Sequence, residues 1–214
     1  MPAPATQDVG SRPRSYHRIF DLGKNRNLYI FAACVFLFQF ADASLLPIVG
    51  ESLAQSKTEY ASLLMAGLIV VPQIVVALLS PWVGYHSEKW GRKPLLLLGF
   101  GLEIIRALLF AFSENVSVLL TAQLLGGISA ATVTVLTILV VTDLTTGTGR
   151  FNLVRGFIGT LIAIAASIST TATGFLFEAL GHWEGFLILA AASAIASSLL
   201  WAAMPETKPA KYLD

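Results

Sequence analysis

The sequence has little charge. Only 13% of its 214 residues are Asp, Glu, Lys or Arg, whereas 55% are hydrophobic. A soluble domain carries about 25% charged residues, so a chain of this composition cannot cover a folded core with water-compatible surface. This excludes a soluble enzyme and a disordered segment and predicts an integral membrane protein. At about 20 apolar residues per span, the chain has room for six or seven membrane helices.

Cysteine and an excess of one charge sign are also scarce. Cys34 is the single cysteine, so it cannot form an internal disulfide, and its apolar surroundings indicate a packed thiol. The formal net charge is +1, which leaves no basic surplus to bind nucleic acid. The sequence has no phosphate-binding loop, nucleophile elbow or metal-ligand spacing. We therefore expect neither an enzyme nor a protein that holds a cofactor or a metal.

Long apolar runs dominate what is present. They are continuous rather than alternating, which favours helices over a β-barrel. We predict an all-α membrane protein with a flexible cytoplasmic tail at 1–26, a six-helix transmembrane bundle at 27–204 and a cytoplasmic tail at 205–214. The six runs lie at about 27–49, 61–84, 94–113, 116–142, 156–180 and 183–204.

The basic residues are divided unevenly between the breaks that separate these runs. Twelve of the 14 Lys and Arg lie in the two tails and in the second and fourth breaks, while the opposite side has Lys57 alone. Because Lys and Arg accumulate on the cytoplasmic side of membrane proteins, both termini are expected in the cytoplasm. This arrangement requires an even number of spans and so supports six.

The second and fifth runs end in similar sequences. Residues 84–91 read GYHSEKWG and residues 174–181 read GFLFEALG, so both follow the pattern G-x-x-x-E-x-x-G, 90 positions apart. The match predicts two three-helix units of inverted topology, a construction common in secondary transporters. Chance similarity is the alternative, because only three of the eight positions are identical.

The fifth run also carries a stripe of small residues. Steps of three and four place them on one helix face, where they permit close contact with another helix, so packing is the expected role. The stripe consists of Gly156, Thr160, Ala163, Ser167, Thr170 and Gly174.

The loop after the second run carries a more specific pattern. Residues 84–93 read GYHSEKWGRK, which resembles the signature G-x-x-x-D-R-x-G-R-K/R of the major facilitator superfamily. In that family the signature joins the second and third helices of a six-helix half. Four positions match, and two keep the charge of the family residue: Gly84, Gly91, Arg92 and Lys93 match, with Glu88 for Asp and Lys89 for Arg.

Three other segments resemble bacterial members of the same family. They are FADASLLP at 40–47, DLTTGTGRFN at 143–152 and the closing Pro205-Glu206-Thr207. Because the last looks like the end of such a transporter, the chain resembles a C-terminal six-helix half. The location implied is the bacterial cytoplasmic (inner) membrane.

The resemblance implies membrane transport of a small solute by alternating access, with proton-coupled efflux as one form of it. One bundle supplies one wall of a pathway, so a partner is expected in the bilayer, either a second copy or a separate N-terminal half. The alternative is a non-transporting remnant or an accessory subunit of a split transporter. The sequence does not identify the substrate, because similar scaffolds handle many solutes.

The resemblance also implies a cytoplasmic gate. We expect Glu88 at the N-terminus of the fifth helix, where the helix dipole favours a carboxylate, and Arg92 paired with Asp143. These contacts either latch one state of the transporter or merely anchor the loop on the cytoplasmic side. The gate residues are Gly84, Glu88, Lys89, Gly91, Arg92, Lys93, Asp143 and Arg150.

Ionisable residues inside membrane helices are costly and mark functional sites by default. Asp42 lies in the first run, without a cation near it in the sequence, and either binds a cation or a proton or is a protonated structural residue. Glu103 and Arg106, spaced i,i+3 in the third run, either serve transport or neutralise one another. Glutamines in three runs either line the pathway or join helices. The candidate pathway residues are Gln39, Asp42, Gln73, Glu103, Arg106 and Gln123.

Overall fold

The structure is a computed structural model that describes residues 25–55, 60–113 and 115–208. Most of the predicted N-terminal tail and the last six residues lie outside these ranges. The described residues form seven helices, which confirms the all-α prediction. They are α1 Arg26–Ala43, α2 Leu45–Gln55, α3 Ala61–Trp90, α4 Arg92–Phe112, α5 Val116–Thr145, α6 Phe151–Leu180 and α7 His182–Ala203.

Six segments of the described chain are long and apolar enough to cross a membrane. Five of them are single helices, and the first joins α1 to α2 over Arg26–Glu51. The predicted number of spans is therefore confirmed.

The first span is not the continuous helix predicted for 27–49. It breaks at Ser44, three residues before Pro47, which has no N–H to donate and whose ring would clash with the carbonyl of Ala43. The break is braced from α6, because the Ser169 hydroxyl donates to the Phe40 carbonyl at 2.5 Å. The Ser44 hydroxyl lies 2.5 Å from that of Ser169 and must be the donor, since the Ser169 proton is already used.

The two halves of the chain are built alike. Helices α3 and α6 each have 30 residues, and each ends at a glycine of positive φ, +93° at Gly91 and +102° at Gly181. Residues with a Cβ rarely adopt this conformation, which explains the glycine at both positions. The sequence pattern repeated 90 positions apart thus marks the same turn in two successive units.

Helix packing follows the same internal symmetry. Helix α1 packs against α6 and α7, its counterpart α5 packs against α3 and α4, and α4 packs against α7. Exchanging the first three spans for the last three converts the two α1 contacts into the two α5 contacts and leaves the α4–α7 contact unchanged. Because each unit has three spans, the second must cross the membrane in the opposite sense to the first. This packing agrees with the predicted inverted repeat.

Two apolar clusters form the core. One contains Phe38 and Phe100, whose stacked rings lie 4.7 Å apart, and the other is built around Leu45 and Leu189. Helices α3 and α5 approach closely at Gly127, where a Cβ would lie 2.9 Å from the Pro72 carbonyl oxygen. Few residues of α3 and α6 are buried inside the bundle, whereas a larger share of each of the other spans is buried.

Candidate functional site

A buried arginine on α4 joins three of the predicted pathway residues. Arg106 is 5% exposed. Its Nη1 lies 2.6 Å from Asp42 Oδ1 and 3.0 Å from Glu103 Oε1. Its Nη2 donates to Gln123 Oε1 at 3.2 Å. The guanidinium therefore ties α1, α4 and α5 together, and Asp42 has the cationic partner that its sequence neighbourhood does not provide.

The space for this guanidinium is provided by a glycine. A Cβ at Gly126 would lie 2.7 Å from Arg106 Nε, so any larger residue on this face of α5 would displace the side chain. The centre of the Phe110 ring, one turn further along α4, lies 5.6 Å from the guanidinium carbon, within the range of a cation–π contact. Gly126 thus leaves room for the Arg106 side chain, and the Phe110 ring contacts its guanidinium.

The cluster holds more acid than base. Two carboxylates, those of Asp42 and Glu103, share one guanidinium, so the group carries a charge of −1 when both are ionised. Glu103 is fully buried, whereas the Asp42 side chain is 31% exposed. Within the described structure, Glu103 Oε2, Arg106 Nε and Gln123 Nε2 are buried without a hydrogen-bond partner. A buried network with this excess charge and these unpaired atoms is suited to take up a proton or a cation.

A cavity of about 280 Å³ opens beside the exposed side of Asp42. It lies between α1, α5 and α6, and Gln39 lines it together with Asp42. Most of its other lining is apolar or carries hydroxyls, and Arg155 lines it as well. The cavity wall comprises Val35, Phe38, Gln39, Asp42, Ala130, Val133, Thr134, Thr137, Ile138, Val141, Arg155, Ile158, Gly159 and Ile162.

The remaining predicted pathway residue lies elsewhere. Gln73 is exposed on α3 and is not among the residues that line the cavity. Of the six predicted residues, the structure brings four into one cluster and places Gln39 in the adjoining cavity. Arg155 also lines the cavity. Its place in a polar break of the sequence does not predict a role inside the membrane.

The signature loop forms a second ionic cluster at the α3–α4 corner. Arg92 is 3% exposed, and its Nε donates to Asp143 Oδ2 of α5 at 3.1 Å. Its Nη2 donates to Glu88 Oε1 and its Nη1 to the Ser87 carbonyl, each at 2.8 Å. One side chain therefore holds the end of α3 and the end of α5 to the start of α4.

Glu88 does not take the position expected for it. Its carboxylate pairs with Arg92, four residues later, rather than lying at the N-terminus of the fifth span. The carboxylate at the N-terminus of α4 is that of Glu206, beyond the end of α7. Glu206 Oε1 accepts the N–H of Arg92 at 2.8 Å, and Oε2 accepts that of Lys93 at 3.0 Å. These are orphan donors of the first turn of α4, which a carboxylate satisfies well.

Glu206 is a site residue that the sequence reasoning missed. The carboxylate accepts two further N–H groups, from Thr207 and Lys208, at 3.0 Å each. It also accounts for Gly91, where a Cβ would lie 2.5 Å from Glu206 Oε2. The Pro205-Glu206-Thr207 motif was the available signal, although it was used only to recognise the end of a transporter.

The other signature residues make fewer contacts. The Lys93 ammonium donates to the Trp201 carbonyl at 2.8 Å, and the Lys89 ammonium lies 4.5 Å from the centre of the Tyr85 ring. A Cβ at Gly84 would meet nothing within 4 Å. Arg150 precedes α6, and the ion pairs of the described residues do not include it.

Replacing Glu206 with glutamine should loosen the α3–α4 corner. The amide keeps one acceptor oxygen but loses the charge and one acceptor, so we expect a loss of about 1 kcal/mol, because the group is exposed and screened. The buried thiol of Cys34 gives the measurement. Its reaction with a fluorogenic maleimide during heating in detergent reports unfolding.

The matched control for this prediction is Glu178→Gln, an exposed carboxylate on α6. That variant should unfold at the temperature of the unmodified chain. If Glu206→Gln unfolds at that temperature as well, the carboxylate contributes nothing to the corner.

The six spans, the braced break in the first and the buried ion pairs define a six-helix membrane bundle. The human organic anion transporter MFSD10 has a similar fold, with a TM-score of 0.69 at 23% identity over 87% of this chain and 49% of that one. The family model described as "Major Facilitator Superfamily" matches residues 28–213. The chain belongs to the major facilitator superfamily. This family consists of transporters, which confirms the prediction that the chain is not an enzyme.

The curated relatives are longer than this chain. The uncharacterized MFS-type transporter Rv2456c of Mycobacterium tuberculosis is 39% identical over 186 residues, which are 87% of this chain and 44% of the relative. The Multidrug resistance protein 2 of Bacillus subtilis is 29% identical over 112 residues, 52% of this chain and 28% of the relative. The matched segments therefore cover less than half the length of these relatives.

Proposed function

We propose that this chain is one six-helix half of a secondary transporter that moves a small solute across a bacterial cytoplasmic membrane by alternating access. The observation that carries the proposal is the cluster of Asp42, Glu103 and Arg106, buried between three spans beside a cavity. Ionisable groups are retained at such positions because they bind or move a charge. A purely structural bundle would be more stable with apolar residues there.

A second six-helix bundle completes the pathway in this proposal. All six small residues of the α6 stripe are exposed, and so is Gln73 on α3. Small and polar faces pack against protein or line water more readily than they face lipid tails. The relatives are more than twice as long as the matched segment, which agrees with a missing half. The second bundle is either another copy of this chain or a separate N-terminal half.

Proton-coupled efflux is the form of transport that the cluster suits best. Arg106 holds both carboxylates, so protonation of one of them releases it from the guanidinium without leaving an unpaired charge. Asp42 is the better placed to exchange a proton, because its side chain is partly exposed and lines the cavity while Glu103 is fully buried. The Bacillus subtilis relative is named a multidrug resistance protein. A lipophilic solute would also suit the largely apolar cavity wall here.

The Arg92 cluster serves as the gate in this account. Arg92 joins the ends of α3 and α5 through Glu88 and Asp143, and a rocking motion of the bundles would have to break or rearrange these contacts. With the basic residues on the cytoplasmic side, the latch closes the cytoplasmic end of the pathway.

Flux through membrane vesicles tests this function. Vesicles that contain the chain and its completing bundle should release members of a labelled solute panel faster than vesicles without the chain, and a protonophore should reduce the rate. Flux that does not depend on the chain would favour the alternative, an accessory subunit or a remnant without transport activity. Crosslinking in the same membranes should trap a dimer or a heteromer, and a monomer that transports alone would contradict the need for a second bundle.

A further inference from the structure

Aromatic side chains form an exposed ladder at the end of α3. The His86 ring stacks on Trp82 with centroids 4.0 Å apart, and it lies 4.8 Å from Trp90 on the next turn. Tyr85 meets the same imidazole edge-on at 5.2 Å. Trp82, Tyr85 and Trp90 are 46%, 59% and 54% exposed. We call Trp82, Tyr85, His86, Lys89 and Trp90 the aromatic ladder.

The ladder lies where α3 leaves the membrane core. A helix of 30 residues is about 45 Å long, whereas the hydrocarbon core is about 30 Å thick. The last turns of α3 therefore extend into the headgroup region. The ionisable side chains of this helix, Tyr85, His86, Glu88 and Lys89, all lie in these same turns. Trp and Tyr favour this interface because their rings are apolar and their N–H or O–H groups can reach polar partners.

The ammonium groups of Lys89 and Lys208, on the ladder, form no ion pair among the described residues, although the Lys208 backbone N–H donates to Glu206. The Lys89 ammonium rests 4.5 Å from the centre of the Tyr85 ring, and the ion pairs of the described residues do not include it. The Lys208 ammonium donates to the Lys89 backbone carbonyl at 3.5 Å. His86 Nδ1 lies 3.0 Å from the Trp82 carbonyl, which can only accept, so Nδ1 carries the proton and Nε2 is left for another partner. The nearest acid along the helix, Glu88, is held by Arg92.

We propose that the aromatic ladder binds an anionic phospholipid, with the headgroup phosphate between Lys89, Lys208 and His86 and the acyl chains along Trp82. Charge complementarity determines the choice of partner, because cations without an ion-pair partner at the headgroup level attract an anionic phosphate. The inference does not depend on the transport activity proposed above.

Tryptophan quenching by brominated lipid tests the site. The chain has four tryptophans, so Trp183→Phe with Trp201→Phe leaves only Trp82 and Trp90 to fluoresce. This variant is reconstituted into phosphatidylcholine vesicles that contain a small fraction of brominated phosphatidylglycerol or, separately, brominated phosphatidylcholine. We expect phosphatidylglycerol to quench several-fold more effectively at equal mole fraction.

Charge variants identify the residues responsible. Lys89→Gln should reduce the preference for phosphatidylglycerol about fivefold, whereas Lys89→Arg, which keeps the charge, should retain it. Equal quenching by the two lipids, or a preference that survives Lys89→Gln combined with His86→Gln, would overturn the proposal. Absence of quenching by either lipid would show that protein covers the ladder. Loss of the preference in excess glycerol phosphate would show a site for free phosphate instead of a lipid.

Discussion

Replacing Arg106 with methionine should destabilise the bundle by roughly 3–5 kcal/mol, the usual cost of removing one partner of a buried ion pair. Methionine fills much of the same volume, so the loss is electrostatic: the Asp42 and Glu103 carboxylates remain without their shared cation. The measurement is the unfolding temperature reported by the Cys34 thiol, which is fully buried in the folded chain. We expect a large decrease for this single substitution.

Two further variants distinguish the electrostatic contribution of Arg106 to stability from its packing contribution. Asp42→Asn combined with Glu103→Gln in the Arg106→Met background removes every charge of the cluster and should recover much of the lost stability. Arg150→Met removes an arginine that has no ion pair among the described residues and should change little. A triple variant no more stable than Arg106→Met alone would show that the guanidinium acts through packing.

Replacing Arg92 with alanine should open the corner between α3, α4 and α5. The variant loses the contacts to Asp143, Glu88 and the Ser87 carbonyl together. Ser87 is fully buried beneath this guanidinium, so a Ser87→Cys thiol in a Cys34→Ser background reports access to the gate. We expect its labelling rate by a soluble maleimide to increase at least about tenfold, equivalent to about 1.4 kcal/mol.

The matched control for the gate is Lys93→Ala, on the next residue of the same helix turn. Among the described groups, the Lys93 ammonium donates a hydrogen bond only to the Trp201 carbonyl. Removing this side chain should therefore leave the labelling rate of the Ser87→Cys thiol almost unchanged. If Arg92→Ala changes neither the labelling rate nor transport, the loop is an anchor and has no gating role.

The sequence predicted structural features correctly where a repeated pattern or the family signature marks them. The helix-ending glycines Gly91 and Gly181 could be paired from a repeated pattern, because each must adopt a positive φ that few other residues tolerate. The pair of Arg92 and Asp143 was expected from the family signature, and the structure places their side chains 3.1 Å apart. Its function as a latch remains a prediction.

Contacts between distant helices could not be read from the sequence where no family signature marks them. Asp42 and Arg106 are separated by 64 positions, and their meeting depends on how α1 and α4 are rotated about their axes. Hydropathy does not encode that rotation. Glu206 was missed for a similar reason, since it caps the start of a helix 114 positions earlier in the chain. The break at Ser44 differs from these contacts, because it could have been predicted from Pro47. That proline lies inside an apolar run, which by itself predicts a continuous helix.

The two ionic clusters share α4. Arg92 and Arg106 are 14 residues apart, about 21 Å along the helix, and at 3.6 residues per turn they face nearly the same way. Both reach α5, one through Asp143 and the other through Gln123. A change of charge at Asp42 could therefore bias the gate through a rigid α4. Coupling of this kind requires a double-variant measurement rather than proximity alone.

We propose that the Asp42 cluster moves charge during transport. The most direct test is the initial efflux rate of a transported solute from vesicles, with and without a protonophore, for Asp42→Asn and for Glu184→Gln, an exposed acid of α7. We predict that the unmodified chain and Glu184→Gln transport at equal, protonophore-sensitive rates, and that Asp42→Asn transports at least tenfold more slowly. An Asp42→Asn variant that transports at the unmodified rate with the same protonophore sensitivity would contradict the account.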